Sequence, residues 1–308
     1  MSGEASADGR SVFRFRRLEK PEEFRAAEEV QRQAGGPEAE SVVGAATQRA
    51  VQDHGGFVLG AFVDIYLAGV SIGFLGWDGA QLYHYVQATA VRPEYQNHHV
   101  GFRLNAFLRE EVMRQGLPWV RGTIDPLASR AAQLGVHRLG ARPDKYLVHY
   151  FGQVDRGSGH GTETDRLRLT WELDSPNTES RLAGTLPSPE QGRARWEKGA
   201  ALIETELSEE GFRRPTAVSE VSGPEANLEV PFDLAAIREH APASLRPWRH
   251  AVRDAFRAAF DLGYEVDDFF VLPIEHERRS FYLLHPRSPT GAGSPKPETL
   301  GSTPTKPP

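Results

Sequence analysis

The sequence contains no cysteine, so disulfide bonds, thiolate metal ligands and a cysteine nucleophile are excluded. It also lacks any apolar run near the roughly 20 residues that a membrane span requires. An excess of positive charge is missing too, since 36 Lys and Arg stand against 42 Asp and Glu, which gives a net charge of −6. We therefore expect no nucleic-acid or membrane partner, because both favour a basic surface, and we expect a cytoplasmic location.

What is present is the composition of a globular protein, 39% hydrophobic and 25% charged over 308 residues. That length predicts two domains, or one domain with a large extension. Both ends are too poor in apolar residues to offset their chain entropy by burial. The expected division is a disordered segment at 1–10, a core at 11–152, a C-terminal extension at 163–286 and a disordered tail at 287–308.

Local patterns predict the elements of the core. An apolar strand at 13–18 precedes a helix that opens at Pro21. Two apolar runs that contain glycine, at 55–63 and 67–77, predict an antiparallel hairpin, and 81–91 reads as the next strand. Further strands are expected at 117–124, 145–151, 167–173, 269–272 and 280–284, helices at 100–115, 127–139 and 247–262, and a loop at 174–192.

The sharpest local change is the polar stretch at 92–101, which lies between a strand and an amphipathic helix. The first turn of a helix has unpaired N–H groups and a partial positive charge, and it binds phosphate where a small residue lets the backbone approach. Gly101 is such a residue, and the candidate donors are the N–H groups of 97–103. The alternative is an ordinary polar turn.

The loop reads Gln96-Asn97-His98-His99-Val100-Gly101. It resembles the pyrophosphate motif of the GNAT superfamily of acyl-CoA N-acyltransferases, Gln/Arg-x-x-Gly-x-Gly/Ala, with His99 where the first glycine is expected. A wider resemblance, to a subgroup of GNAT acetyltransferases, spans about 11–286. It is carried by Asp125-Pro126-Leu127, Leu139-Gly140-Ala141, Asp165-Arg166-Leu167, Trp171-Glu172, Val230-Pro231 and Trp248-Arg249.

The resemblance implies an α+β fold with a mixed, mostly antiparallel sheet flanked by helices. A C-terminal α/β extension follows, for which a degenerate second GNAT-like half is one interpretation. The implied activity moves an acetyl or succinyl group from acetyl-CoA or another acyl-CoA to the amine of a small molecule, with an amino acid as the natural candidate. No metal is expected, and a homodimer is left open. The implied cofactor contacts are Thr89, Ala90, Val91, Gln96, Asn97, His98, His99, Val100, Gly101, Phe102, Arg103, Ser129 and Ala132.

Catalytic residues are harder to assign. Counting back from Gly140, Val136 stands where the family often has a tyrosine that protonates the CoA thiolate. This departure favours the alternative of a catalytically impaired protein that binds acyl-CoA or a partner without turnover, and a scaffold is a third hypothesis. The candidate bases are His84 and Tyr85; strict alternation would place Tyr85 on the face of Thr89 and His84 on the other face.

Other polar residues favour structural interpretations. Asp125 is expected to be a turn residue or an ion-pair partner. Asp165 and Arg166 are expected to form a structural pair, with substrate contact as the alternative. The adjacent His98 and His99 would point apart, so they do not predict a metal site.

Overall fold

A computed structural model describes residues 12–35, 42–154 and 162–287. Of the expected disordered segments, 1–10 and 287–308, only Arg287 belongs to the described residues, and its side chain donates to Glu265. The N-terminal elements are β1 (Phe13–Arg17), α1 (Pro21–Gly35), α2 (Ala45–Asp53), β2 (Phe57–Val63), β3 (Tyr66–Trp77), β4 (Leu82–Val91), α3 (Val100–Arg114), β5 (Trp119–Ile124), α4 (Ser129–Ala132, continued by a π-helical turn at Gln133–Arg138) and β6 (Arg142–Leu147).

The chain continues through a short ribbon and a second set of elements. These are β7 (Gln153–Val154), β8 (Thr162–Glu163), β9 (Arg166–Glu172), α5 (Pro176–Leu182), α6 (Pro189–Lys198), β10 (Ala200–Ala201), β11 (Ile203–Leu207), β12 (Arg213–Val218), β13 (Ala226–Val230), α7 (Leu234–His240), α8 (Leu245–Asp261), β14 (Tyr264–Ile274) and β15 (Glu277–Pro286).

The first sheet has seven strands in the order β1-β2-β3-β4-β5-β9-β6, and only β4 and β5 pair in parallel. Apolar residues are buried on both of its faces. On what we call the α1 face, Val58 and Ile72 pack against Phe24 of α1. On the α3 face, Phe57 and Leu167 belong to the core that contains the apolar side of α3. The expected mixed, mostly antiparallel sheet flanked by helices is confirmed.

The second sheet has four strands in the order β10-β13-β15-β14, and β11 and β12 form a separate ribbon. The predicted helix at 247–262 is confirmed as α8, which starts two residues earlier and ends before Gly263, where φ is 78°. Its buried side includes Trp248, Val252 and Phe256. No helix of the described residues is long and apolar enough to cross a membrane.

Three boundaries differ from the expectation. β9 lies between β5 and β6, so the first sheet extends to Glu172 and the division at 152/163 is wrong. The segment expected to be a loop holds α5 and the first turn of α6. The hydroxyls of Ser175 and Ser188 cap the first turns of these helices, which a search for apolar periodicity does not detect. The strand expected at 145–151 is β6, which ends at Leu147. Its bounds follow from its pairing with β9, and the aromatic residues after Leu147 are not part of it.

Candidate active site

The parallel pair of the first sheet is open along most of its length. β4 and β5 pair only where His84 to Val86 lie beside Val120 to Gly122. Beyond Val86, β4 stays paired to β3 as far as Val91, while its other edge has no strand partner among the described residues. An unpaired strand edge presents N–H and C=O groups that an extended ligand can bind.

A β-bulge lies at the start of this opening. Val86 opposes Gly73 and Ala88 opposes Ile72, so Gln87 is an extra residue in β4. The bulge reverses the alternation of side chains beyond it. His84 therefore lies in the α3-face core, beside Phe57, whereas Ala90 packs against the α1-face core.

The expected sharing of faces across β4 is thus wrong, because it assumed an unbroken period of two. Tyr85 pairs with Phe74, which lies on the α1 face with Ile72, whereas Thr89 pairs with Ser71 on the opposite face. Tyr85 and Thr89 consequently face opposite sides of the sheet.

His84 is enclosed by the core. Its side chain is 0% exposed, and neither ring nitrogen has a hydrogen-bond partner among the described residues. Burial lowers the pKa of His84 to about 4, so the imidazole is neutral at neutral pH. The ring fits because residue 73 is glycine: a Cβ there would lie 2.2 Å from His84 Nε2. The structure does not bring His84 to the opening between β4 and β5.

Tyr85 lies at that opening. Its hydroxyl is 3.4 Å from Thr123 Oγ1 on β5, and its ring lies 5.3 Å from that of Phe74. Burial raises the pKa of Tyr85, and the contact with Thr123 opposes this only in part. The phenol is therefore protonated at neutral pH, so it can donate a proton but cannot accept one as a base.

The loop after β4 has the geometry of an anion site. A short 3₁₀ turn at Pro93–Tyr95 leads into residues 96–99, and α3 begins at Val100. Asn97 and His99 have φ values of 65° and 60°, in the left-handed region that favours glycine. The first helical hydrogen bond from this turn runs from the Arg103 N–H to the His99 carbonyl, so the preceding N–H groups of α3 have no partner within the helix.

Two arginines that the sequence analysis did not identify reach this loop. Arg130 Nη1 donates to Gln96 Oε1 at 3.1 Å, and Gln96 Nε2 in turn donates to the Val91 carbonyl at 3.1 Å. Arg138 Nη1 lies 3.3 Å from His99 Nδ1. Both arginines follow the loop by about 35–40 residues in the sequence. They are eight residues apart, which places them on one side of a helix, and this spacing is the sequence pattern from which they could have been predicted.

The other predicted cofactor contacts divide into two groups. Thr89, Ala90 and Val91 lie along the open part of β4 and are partly or fully exposed. Ser129 and Ala132 are both buried, and Ser129 Oγ lies 2.8 Å from Ser280 Oγ on β15, so Ser129 faces the C-terminal half instead. The structure brings together the loop residues Gln96, Asn97, His98, His99, Val100, Gly101, Phe102 and Arg103.

Val136 is buried in the core, so no hydroxyl is present where the family often has its tyrosine. Asp125 is an ion-pair partner, as expected: Arg249 donates to its two oxygens at 2.5 and 2.9 Å. Asp165 and Arg166 do not pair through their side chains, which corrects the expectation. Arg166 donates to the Asp165 carbonyl, whereas the Asp165 carboxylate accepts from Arg253 at 2.8 Å.

The structure also gathers His149, Glu163 and Asp165, whose potential ligand atoms lie within 4.8 Å of one another. Arg253 donates to both carboxylates, so both are already used by a cation. The expectation of no metal stays a prediction.

No family model and no curated protein matches the sequence. Solved structures do match about half of the chain. The ribosomal-protein-S18-alanine N-acetyltransferase from Escherichia coli is 17% identical, covers 53% of this chain and 95% of its own, and has a TM-score of 0.43. YncA from Salmonella typhimurium, solved with its cofactor acetyl-CoA, is 20% identical over 53% and 95%, with a TM-score of 0.42. Ard1 from Thermoplasma volcanium is 11% identical over 53% and 99%, with a TM-score of 0.42.

The first sheet of this chain combines an opening between β4 and β5, a bulge in β4 and a loop that leads into α3. The loop and its two arginines lie at one end of the opening, and Tyr85 lies at the other.

Proposed function

We propose that this protein is an acyl-CoA-dependent N-acyltransferase that moves an acetyl or succinyl group to the amine of a small molecule. The observation that carries the proposal is the opening between β4 and β5, which ends at the loop of Asn97 and His99. The unpaired edge of β4 would bind the pantetheine arm of CoA, and the loop would bind the CoA pyrophosphate. The reacting thioester then lies near the bulge at Gln87.

The pyrophosphate group would be held by backbone N–H groups and by arginine. Helix α3 offers N–H groups and the positive end of its dipole. Arg130 and Arg138 add positive charge, and their guanidinium groups can donate to phosphate oxygens in place of Gln96 and His99. A Cβ on Gly101 would meet Leu134 Cδ2 at 3.4 Å, an ordinary contact, so there is room for alanine.

In the reaction, the amine nitrogen attacks the thioester carbonyl carbon, a C–N bond forms and the C–S bond breaks. One proton leaves the amine and one proton ends on the CoA sulfur, which gives an amide and free CoA. Tyr85 is the proposed donor to the sulfur, because burial keeps its phenol protonated and Val136 has no proton to give. Water takes the amine proton in this proposal.

The test is calorimetric titration with acetyl-CoA, succinyl-CoA and free CoA. We expect micromolar binding that Gly101→Glu abolishes, since the new carboxylate repels the pyrophosphate. Met113→Glu is the matched control: it adds the same charge to the exposed far end of α3 and should leave binding unchanged. Loss of binding in both variants, or none in the natural protein, contradicts the proposal.

Turnover separates the enzyme from the alternative, a GNAT-type protein that binds acyl-CoA or a partner without reacting. The observation that favours this alternative is the buried Val136. Release of free thiol from acetyl-CoA, measured with a panel of small amines, is expected for the enzyme. Binding without thiol release for any amine supports the alternative.

A further inference from the structure

Beyond β4, the α1 face of the first sheet carries polar side chains from β5 and β9. In β9, Leu167, Leu169 and Trp171 belong to the α3-face core, so the intervening residues face the other side. Arg168 opposes Thr123 of β5 in the pairing, which places Arg166 on the same face as Thr123. This is also the face of Tyr85, whose hydroxyl contacts Thr123. Arg166 therefore shares the open face of the cleft with Tyr85.

Arg166 is a half-buried cation for which the described residues offer no carboxylate partner. Arg166 donates a hydrogen bond to the backbone carbonyl of Asp165 at 2.9 Å, and its guanidinium carbon lies 5.0 Å from the centre of the Phe151 ring. No carboxylate of the described residues is within ion-pair distance of it. Asp125 is the nearest influence of opposite sign, but Arg249 already binds both of its oxygens.

A cation in this position is costly. Burial lowers the pKa of Arg166, and the positive field of Arg249 adds to this, against the opposing effect of Asp125. Cations that are half-buried on a core face normally pair with an anion. A guanidinium group beside a reaction site can bind a planar anion, such as the carboxylate of a substrate, through two parallel hydrogen bonds.

We propose that Arg166 binds the carboxylate of the acceptor, so that the substrates are amino acids or other amines that bear a carboxylate. This inference rests on the proposed acyltransferase function. The acceptor carboxylate would lie against Arg166, with its apolar part beside the exposed rings of Tyr150 and Phe151, which lie 4.7 Å apart. Its amine would point toward Tyr85 and the bulge, where the acyl group is placed.

The two substrates then approach from opposite faces of the sheet. The loop of His99 lies at the start of α3, whose apolar side packs on the α3 face, whereas Arg166 and Tyr85 lie on the α1 face. The opening between β4 and β5 connects the two faces. An amine bound at Arg166 can thus meet a thioester held along β4 without crossing the CoA.

The experiment compares the twenty common L-amino acids with their primary amides as acceptors, with acetyl-CoA as donor and thiol release as the signal. For the best amino acid, we expect kcat/KM at least tenfold above that of its amide. Arg166→Gln should remove this preference, mainly through a higher KM, and Arg166→Lys should restore part of it. Equal use of acids and amides by the natural protein overturns the inference while the acyltransferase function stands.

Arg168→Gln is the matched control. Arg168 is two residues further along the same face of β9 and forms an ion pair with Asp144 at 2.7 Å, so its loss should leave the preference intact. CoA binding by calorimetry should be unchanged in both variants, and circular dichroism checks their folding. An absence of CoA binding in the natural protein overturns the function and the inference together.

If CoA binds without turnover, the inference is tested by calorimetric titration of the CoA complex with N-acetyl-L-amino acids. Weaker binding by Arg166→Gln than by the natural protein supports it. Equal binding contradicts it.

Discussion

His99 has a left-handed backbone conformation, with φ of 60°, at a position where a glycine would be free of strain. A Cβ in this conformation costs about 1 kcal/mol. We expect His99→Gly to be more stable than His99→Ala by about 1 kcal/mol, because both lose the imidazole and only one keeps the Cβ. Urea unfolding of the two variants measures the difference. Equal stability would show that the loop relaxes away from this conformation.

His84 gives a second prediction for a single residue. Burial lowers its folded pKa to about 4, below the ordinary value of 6.5, so the unfolded chain binds more protons between those pH values. The stability of the neutral buried state is complete above pH 6.5 and is lost as the pH falls toward 4. The lost part amounts to about 3 kcal/mol.

His84→Leu should remove that pH dependence. The natural protein should lose about 2–3 kcal/mol relative to this variant between pH 7 and pH 4.5, as measured by urea unfolding at each pH. At pH 7 the free energy of unfolding of His84→Leu should be close to that of the natural protein, because the two ring nitrogens that it removes have no hydrogen-bond partners among the described residues. His54→Leu, at an exposed position after α2, is the control for removing a histidine. Parallel curves for the natural protein and His84→Leu contradict the prediction.

The β3–β4 pair depends on a glycine beside the bulge. A Cβ on Gly73 would lie 2.2 Å from His84 Nε2 and 2.6 Å from the Tyr85 carbonyl oxygen, and the second of these atoms is backbone that has nowhere to move. We expect Gly73→Ala to lose about 3 kcal/mol or more of unfolding free energy. Gly101→Ala is the matched control, since its Cβ would meet only ordinary contacts, the nearest at 3.4 Å. Both are measured by urea midpoints. Similar losses of unfolding free energy in the two variants would mean that the β3–β4 pair does not require glycine at position 73.

The elements that the sequence predicted well are those that bury a regular apolar side. The hairpin of β2 and β3, the strand β4 and the helix α3 all have such a side, and all appear close to their predicted bounds. Helix α2 was missed because it is short and its buried residue is the polar Gln48. Helix α5 was missed because it begins with a serine cap and a proline and has little apolar content. The loop at 96–103 could be predicted as a phosphate site because its residues are consecutive in the sequence.

The rest of the site could not be predicted in this way, because it depends on contacts between distant segments. The bulge at Gln87 reverses the faces of β4, and nothing in the local pattern indicates an extra residue there. Arg130 and Arg138 reach the loop from another helix, and Arg253 of α8 binds the Asp165 carboxylate next to Arg166. Each of these follows from the packing of the whole molecule.

At the scale of the whole molecule, the two sheets share one hydrophobic cluster. Leu167 of the first sheet and Phe256 and Tyr282 of the C-terminal half belong to it. Polar contacts reinforce this interface: Tyr282 donates to the Pro126 carbonyl at 3.1 Å, and Arg249 of α8 binds Asp125 at the end of β5. We therefore expect the described residues to unfold in a single transition, with coincident curves by circular dichroism and tryptophan fluorescence.

The Asp125–Arg249 pair is where this coupling is measured most directly. Burial raises the pKa of Asp125, but Arg249 outweighs this and holds it below its ordinary value, so the pair is ionised at neutral pH. Removing one partner leaves the other charge buried without its closest partner, so Asp125→Asn should cost about 3 kcal/mol. Arg249→Met should cost somewhat less, because Arg238 remains 3.5 Å from Asp125. The double variant leaves neither charge and should cost at least about 1 kcal/mol less than the sum of the two single variants. Strict additivity would mean that this ion pair adds no coupling between the C-terminal half and the first sheet. A second unfolding transition in either single variant would show in addition that this ion pair keeps the two halves in one cooperative unit.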